Sequence, residues 1–311
     1  MMKRLVSTVN LPKEEWLRYR KTGLTGTDAG AITGMNPYVS AFQIYQDKIT
    51  EEITESDSER MRQGRDLEAY VAKRFEEETG LKVRNANAIY QNEAHPIMLA
   101  DFDRLIIGQK AGLECKTVSP YAGEQWKDEK IPLHYQLQVQ HYLAVSGFDC
   151  WYVAALILGQ EFLIRKIVRD EELIKDLITI EERFWNENVV KRIMPEPDGS
   201  KNCYEQIAKM YFCSDREKTI ELCGFDSDLK RREELTELID RLEKEKASID
   251  QKVQLELQEA AYGVTPNYRI SWVMAESKRL DNKKLKAENP DLYEQYCKVS
   301  GSRRFIVKHV A

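Results

Sequence analysis

Residues 98–116 read MLADFDRLIIGQKAGLECK, and this stretch decides how the chain around it folds. Leu99, Phe102, Leu105, Ile106 and Leu113 crowd its two halves, and Gly108 and Gly112 bound the polar middle. That pattern predicts two half-buried strands joined by a tight turn. Glu114 and Lys116 are two residues apart, so a strand projects both from one face. Asp103 precedes Glu114 by eleven residues, the separation at which a hairpin brings two strands side by side.

Those residue types suit one chemistry. A phosphodiester is a negatively charged, poor electrophile, so its hydrolysis needs a cation to screen charge and activate water. Two carboxylates with phosphate oxygens and waters suit Mg²⁺ or Mn²⁺. A lysine beside them would orient the attacking water and stabilise charge in the transition state. The competing interpretation is a surface hairpin with cross-strand charge pairs. Acid-x-Lys by itself is common here, recurring at Asp128/Lys130, Asp228/Lys230, Asp250/Lys252, Glu276/Lys278 and Asp281/Lys283. The apolar neighbours of Asp103 and Glu114 set this occurrence apart, and Glu276/Lys278 has no Asp in the preceding 25 residues.

Composition narrows the classes. The chain has 311 residues, 42% hydrophobic and 32% charged, enough for one large or two ordinary domains with a proper core. A net charge of −5 argues against coating nucleic acid by bulk electrostatics, so contact with it must come from a local basic groove and bound metal. Cysteines 115, 150, 203, 213, 223 and 297 form no CxxC pair. Even the ten-residue spacing of Cys203, Cys213 and Cys223 mismatches zinc or iron–sulfur ligand sets, and reduced cytoplasmic thiols are the expectation. Residues 1–13 lack an apolar h-region and the longest apolar run is 151–158, so neither a signal peptide nor a membrane span is expected.

Along the chain, residues 13–22 have helical composition, and GLTGTDAGAITGMNPY (23–38) feeds a short helix that Thr27 or Asp28 would cap. Such a terminus beside Arg20 suits an anion, or is simply an ordinary capped helix. Residues 41–48 read as helix and 50–59 as a polar connector. Leu67, Val71 and Phe75 define an amphipathic helix over 64–80, with Glu68 at the edge of its apolar stripe as a metal ligand or an edge charge. Strands follow at 82–90, 97–107 and 112–118, and 119–132 reads as loop. Pro132 and Gly147 bracket a helix on which Gln138 and Tyr142 share a face. There a buried glutamine needs partners, which a phosphate, a metal-bound water or the sheet would supply. A strand pair at 150–158 and 161–168 and a helix over 170–190 complete an αβββαββα order around one mixed sheet. The PEPDGS stretch (195–200) divides a domain at 1–195 from an extension at 196–311. The extension carries a short helix at 203–212, an amphipathic helix at 226–260 and a basic segment at 267–311 reading strand–helix–helix–strand.

WLRYR and GTDAGAITGMNPY (16–38), GRDLE (64–68), LADFDRL (99–105), LECK (113–116) and QVQHYLAVSG (138–147) occur in an order that resembles the YqaJ-type viral recombinase family. These are phage-type nucleases similar to lambda exonuclease within the PD-(D/E)xK superfamily, and the likeness spans roughly 10–195. The resemblance implies an α/β restriction-endonuclease-like core with a mixed central sheet flanked by helices. It implies that Glu68, Asp103, Glu114 and the Cys115 backbone carbonyl hold Mg²⁺ or Mn²⁺, as two ions, that Lys116 assists the attacking water, and that Gln138 and Tyr142 support the site. Arg20 and Thr27 are implied to bind the phosphate of a DNA 5′ end. Asp103-Arg104 replaces the family's usual Asp-Gly, and Thr27 a usual Ser. The implied activity is 5′→3′ resection of duplex DNA ends, with a single-strand annealing partner and a ring-shaped homo-oligomer. An endonuclease or nickase on the same fold, or a non-catalytic end-binding protein, are the alternatives.

Overall fold

Phe102 is where the chain changes sheets. The computed structural model describes residues 2–53 and 58–309, and along them β1 (Met2–Ser7), α1 (Lys13–Lys21), β2 (Leu24–Thr25), α2 (Gly26–Ile32), α3 (Ala41–Ile49) and α4 (Glu59–Thr79) come first. Next are β3 (Val83–Asn85), β4 (Ala88–Asn92), β5 (Met98–Asp101), β6 (Arg104–Ile106), β7 (Ala111–Val118), α5 (Leu133–Ser146), β8 (Cys150–Ile157), β9 (Glu161–Val168), α6 (Glu171–Arg183) and α7 (Lys201–Met210). The expected single mixed sheet is two. One runs β1-β4-β5-β2 and the other β3-β6-β7-β8-β9.

Each strand expected at 82–90 and 97–107 is therefore divided between the sheets. The reason lies in Phe102, 3% exposed, whose ring stacks on Tyr90 at 5.2 Å and packs against Trp151 at 4.7 Å and Tyr142 at 5.2 Å. Burying that ring costs the backbone its pairing and redirects it from one sheet to the other. Asp101 and Asp103 consequently do not share a strand face: Asp101 pairs with Ile89 in the first sheet, whereas Asp103 stands just before β6 in the second.

Trp151, fully buried, lies over β7 only because position 112 is glycine. A Cβ there would sit 2.1 Å from the indole. On the opposite face α4 buries Val71, Ala72 and Phe75 against Leu113 and Ala154, each larger apolar side chain contributing about 1.5–3 kcal/mol. Gly80, at φ 73, ends the helix. The helix begins at Glu59, earlier than the stripe suggests, because Ser58 caps it by accepting the Met61 N–H. Of the connector expected at 50–59, residues 54–57 lie outside the described residues. The loop expected at 119–132 contains a 3₁₀ turn, Pro120–Trp126, that buries Trp126. At the N-terminus β1, unmarked in the sequence, pairs with β4.

The chain divides into two compact units, Met1–Tyr211 and Phe212–Ala311. That division falls after 195 because α7 belongs to the first unit. Asn202 accepts the Ser40 N–H and hydroxyl at 3.0 and 2.7 Å and donates to Gln43 at 2.6 Å, and Cys203 is buried. The second unit contains α8 (Asp226–Leu257), β10 (Tyr262–Val264), β11 (Arg269–Ser271), α9 (Asn282–Glu288) and α10 (Pro290–Tyr296). The closing strand expected after α10 is not formed among the described residues. No described helix is long and apolar enough to cross a membrane.

Candidate active site

β7 and β8 run parallel with Glu114 beside Val153 and Lys116 beside Ala155, and β6 lies on the other edge of β7 with Arg104 opposite Leu113. One step further along that antiparallel register sets Asp103 across from Glu114. The register is locked by the side chain itself, since the Asp103 carboxylate accepts the Cys115 N–H at 2.7 Å. The acid thus replaces the strand partner that β7 loses where β6 ends.

Glu114 is 4% exposed. Its Oε1 accepts from Lys116 Nζ at 2.6 Å and from Gln138 Nε2 at 2.7 Å. Gln138 also donates to the Tyr142 hydroxyl at 2.7 Å and accepts from Lys116 at 3.2 Å. The lysine lies over the Tyr135 ring, 4.7 Å from its centroid. Gln138 and Tyr142 reach this network because α5 turns their shared face to the sheet, so the i, i+4 pair acts as a unit.

Charge is unbalanced toward the negative. Burial, then Glu114 and Glu68, push the Asp103 carboxyl well above its usual range, against the pull of Lys116. Burial opposes charge on Lys116 too, but Glu114 more than compensates and holds the ammonium above its ordinary value. The Cys115 thiol is pushed up by burial and by the same acids. His134 is pushed down to about 4 by burial and by Lys116, leaving a neutral imidazole whose Nε2 is buried without a partner. Glu68 pairs with Arg104, which also donates to the Asp103 carbonyl at 2.8 Å.

Among the described residues no three His, Cys, Asp or Glu side chains form a ready-made ion cage. The donor set nevertheless fits a hard cation. The Glu114 Oε2 is buried with no hydrogen-bond partner, an expensive arrangement for a carboxylate unless a positive charge is bound there, and it neighbours Asp103, whose ionised form Lys116 and the Cys115 N–H compensate only in part.

A second cluster lies on the four-stranded sheet. Arg20 Nη2 donates to the Thr25 and Thr27 hydroxyls, each at 3.2 Å. Thr25 occupies the N-cap of α2, in place of the expected Thr27 or Asp28. Asp28 instead reaches back to accept the Thr25 N–H at 2.9 Å and pairs with Lys48 at 2.9 Å. Burial raises the Asp28 carboxyl, but Lys48 and Arg20 outweigh it and hold it below its ordinary value. Thr27 is exposed beside the guanidinium, leaving a hydroxyl and a cation facing solvent together.

Residues 15–149 match the model of the YqaJ-like viral recombinase domain. Uncharacterized protein YqaJ of Bacillus subtilis (strain 168) is 37% identical over 311 residues, covering 99% of this chain and 98% of that protein. The chain belongs to the YqaJ family.

Glu68, Asp103, Glu114, Lys116, Gln138, Tyr142, Arg20 and Thr27 all fall inside the YqaJ-matched segment. Among solved structures, LHK-Exo in complex with dAMP aligns with a TM-score of 0.50 at 20% identity, over 65% of this chain and 100% of that one. A second LHK-Exo structure, described as an alkaline exonuclease from Laribacter hongkongensis, gives 0.49 at 19% identity, over 64% and 100% of the two chains. The fold of the first unit is thus restriction-endonuclease-like.

Four residues in this YqaJ-family site had no functional reading in the sequence: Trp16, Thr25, Arg104 and Asp101. Asp101 accepts the Trp16 indole N–H. Its partner Trp16 is 85 positions away, so local spacing carries no trace of the contact. Thr25, in contrast, was legible as a cap: Asp28 three residues later completes the reciprocal pattern of a helix start.

Proposed function

We propose that this chain is a metal-dependent deoxyribonuclease that degrades duplex DNA from its ends in the 5′→3′ direction, in the service of recombination. One observation carries the reading: Lys116 and Gln138 converge on a single oxygen of Glu114, and the other oxygen is left buried and unpaired beside Asp103. Glu68, Asp103, Glu114 and the Cys115 backbone carbonyl are the groups that would hold Mg²⁺ or Mn²⁺, as two ions. Bound there, a divalent cation supplies positive charge against the phosphodiester and acidifies water.

The chain's own groups do the remainder. Lys116, kept protonated by Glu114, donates to the attacking water and to charge developing on phosphorus oxygens. Gln138 fixes both Lys116 and Glu114, and Tyr142 fixes Gln138, so the donors are aimed before substrate arrives. Arg20 and Thr27 would take the terminal 5′ phosphate, a guanidinium and a hydroxyl being strong partners for a phosphomonoester. A single-strand annealing protein is the partner this product calls for, and a ring of identical chains is the assembly proposed for holding the duplex.

The decisive experiment digests linear and covalently closed circular duplex DNA, with 5′-phosphate or 5′-hydroxyl termini, in Mg²⁺, Mn²⁺ or EDTA. Linear phosphorylated DNA should be consumed in either metal and survive in EDTA, and closed circles should survive throughout. Cutting of circles at the linear rate would establish an endonuclease. Binding of ends without cleavage in any metal would establish an end-binding protein.

A further inference from the structure

Asp101 closes β5, the strand beside β2, and carries an acidic group into a region already crowded with carboxylates. It is spent on neither Lys116 nor Arg104. Its Oδ2 accepts the Trp16 indole N–H at 2.6 Å. The face of that indole supports the Arg20 guanidinium, 4.6 Å from the ring centroid, and Arg20 in turn donates to Thr25 and Thr27. Thr25 is itself fixed by β5, pairing in parallel with Leu99. One strand therefore anchors both sides of the anion cluster, the hydroxyls through the sheet and the guanidinium through an acid and an indole.

We infer that Asp101 and Trp16 are positioning residues for recognition of a 5′-terminal phosphomonoester, acting by fixing the indole whose face aims Arg20 at the phosphate. This inference rests on the reading of Arg20 and Thr27 as the terminal-phosphate pocket. An arginine free in solution samples many rotamers, and binding has to freeze them. An arginine stacked on a fixed ring has surrendered that freedom during folding, so more of its phosphate contact appears as affinity. The indole is well suited to the task, offering a flat face to the cation and an edge N–H to the acid that holds it. Lys48 reinforces the same residue from its backbone, donating to the Arg20 carbonyl at 2.9 Å.

The test uses the full chain with Trp16→Phe, which keeps a ring and removes the N–H, Asp101→Ala, which removes the acceptor, and Asp101→Asn, which retains one. KM and kcat are measured on linear duplexes with 5′-phosphate or 5′-hydroxyl ends, and each variant is repeated in an Arg20→Ala background. Trp16→Phe and Asp101→Ala should each raise KM for phosphorylated ends roughly tenfold, the scale of one charged hydrogen bond. They should change kcat much less and leave hydroxyl ends nearly unaffected. Asp101→Asn should recover most of the loss, and none of the three should add to Arg20→Ala.

Unchanged discrimination in both Trp16→Phe and Asp101→Ala, full additivity with Arg20→Ala, or Asp101→Asn behaving as Asp101→Ala would each overturn the positioning role. A parent protein that handles the two kinds of end equally would overturn the phosphate pocket instead. The cycle with Arg20→Ala, read on KM for hydroxyl-ended duplex, would then decide the positioning role alone. The indole N–H resonance of Trp16 gives an independent reading: it should move in Asp101→Ala and stay in Asp101→Asn, and a resonance indifferent to both refutes the contact.

Discussion

Replacing Gly26 by alanine should weaken the fold and the chemistry together. A Cβ at position 26 would lie 2.5 Å from Tyr142 Cε1 and 3.0 Å from the Gln138 carbonyl oxygen, where ordinary contact is about 3.5–4.0 Å. Neither neighbour yields readily. Tyr142 is 4% exposed, hydrogen-bonded to Gln138 and packed against Phe102 and Trp151, and the Gln138 oxygen belongs to a helix backbone. α2 and α5 must therefore separate by about 1 Å. Overpacking of this kind costs about 1–3 kcal/mol, partly offset by the ~0.4–1 kcal/mol that alanine gains over glycine in the unfolded chain. The net loss, up to about 2.6 kcal/mol, should lower Tm by as much as roughly 10 °C at about 2–4 °C per kcal/mol for a unit of this size. Moving Tyr142 moves Gln138, and with it the oxygen and amide that fix Lys116 and Glu114. A misplacement near 1 Å is worth as much as ~10²-fold in rate. Thermal unfolding and single-turnover digestion of linear duplex DNA read the two effects. Gly64→Ala is the counterpart: that glycine lies within α4 with nothing within 4 Å of a built Cβ, so alanine should stabilise by about 0.4–1 kcal/mol. A Gly26→Ala protein with parental Tm and parental rate would refute this account of α2 packing on α5.

Glu114→Gln and Lys116→Ala should each reduce cleavage by roughly 10²–10³-fold with the circular dichroism spectrum and duplex binding retained; parental rates in both would remove the site from contention. Arg20→Ala should erase most of the preference for 5′-phosphorylated over 5′-hydroxyl ends without shifting the metal concentration that half-saturates cleavage. The third concerns His141 and Glu181, which are fully buried and joined at 2.8 Å, with the other imidazole nitrogen on the Leu99 carbonyl at 2.8 Å. Burial raises the Glu181 carboxyl, while His141, which burial alone would lower, is carried upward by Glu181. Both folded values exceed their ordinary 4.5 and 6.5, so the folded chain holds more protons than the unfolded one. The stability this pair contributes is complete below those values and is lost as pH rises beyond them. Glu181→Gln leaves His141 buried without its anion, so the imidazole's contribution should reverse and grow as pH rises through 6.5. Urea midpoints at pH 5, 6.5 and 8 check this, and identical pH slopes for parent and variant would count against it.

Much of the site could be traced from local pattern, because its parts are paired at short range. Glu114 and Lys116 share a strand face, Gln138 and Tyr142 share a helix face, and Pro132 and Gly147 mark where that helix begins and ends. What escaped notice is non-local or lacks punctuation. Residues 98–106 hold no glycine or proline, and the passage between sheets is made by Phe102, a residue that ordinarily continues a strand, so nothing marks it. β1 finds its partner more than eighty positions away, and Trp16 meets Asp101 across a similar gap. The cap of α2 was misplaced for a different reason: Thr25, Thr27 and Asp28 are all good capping residues, and the cue that singles out Thr25, the acid three residues later, is one that its extended backbone, φ −107 and ψ 166, bears out.

The aromatic cluster beneath Phe102 has one further effect. Arg20 and Thr27 lie on α1 and α2 beside one sheet, and Glu114 and Lys116 on β7 of the other, with Phe102 joining the two sheets between Asp101 and Asp103. The spacing between the Arg20–Thr27 cluster and the Glu114–Lys116 cluster is therefore set by how Tyr90, Tyr142 and Trp151 grip a single ring. On the proposed reading of both clusters, a substitution at Phe102 would alter that spacing while removing no polar group from either.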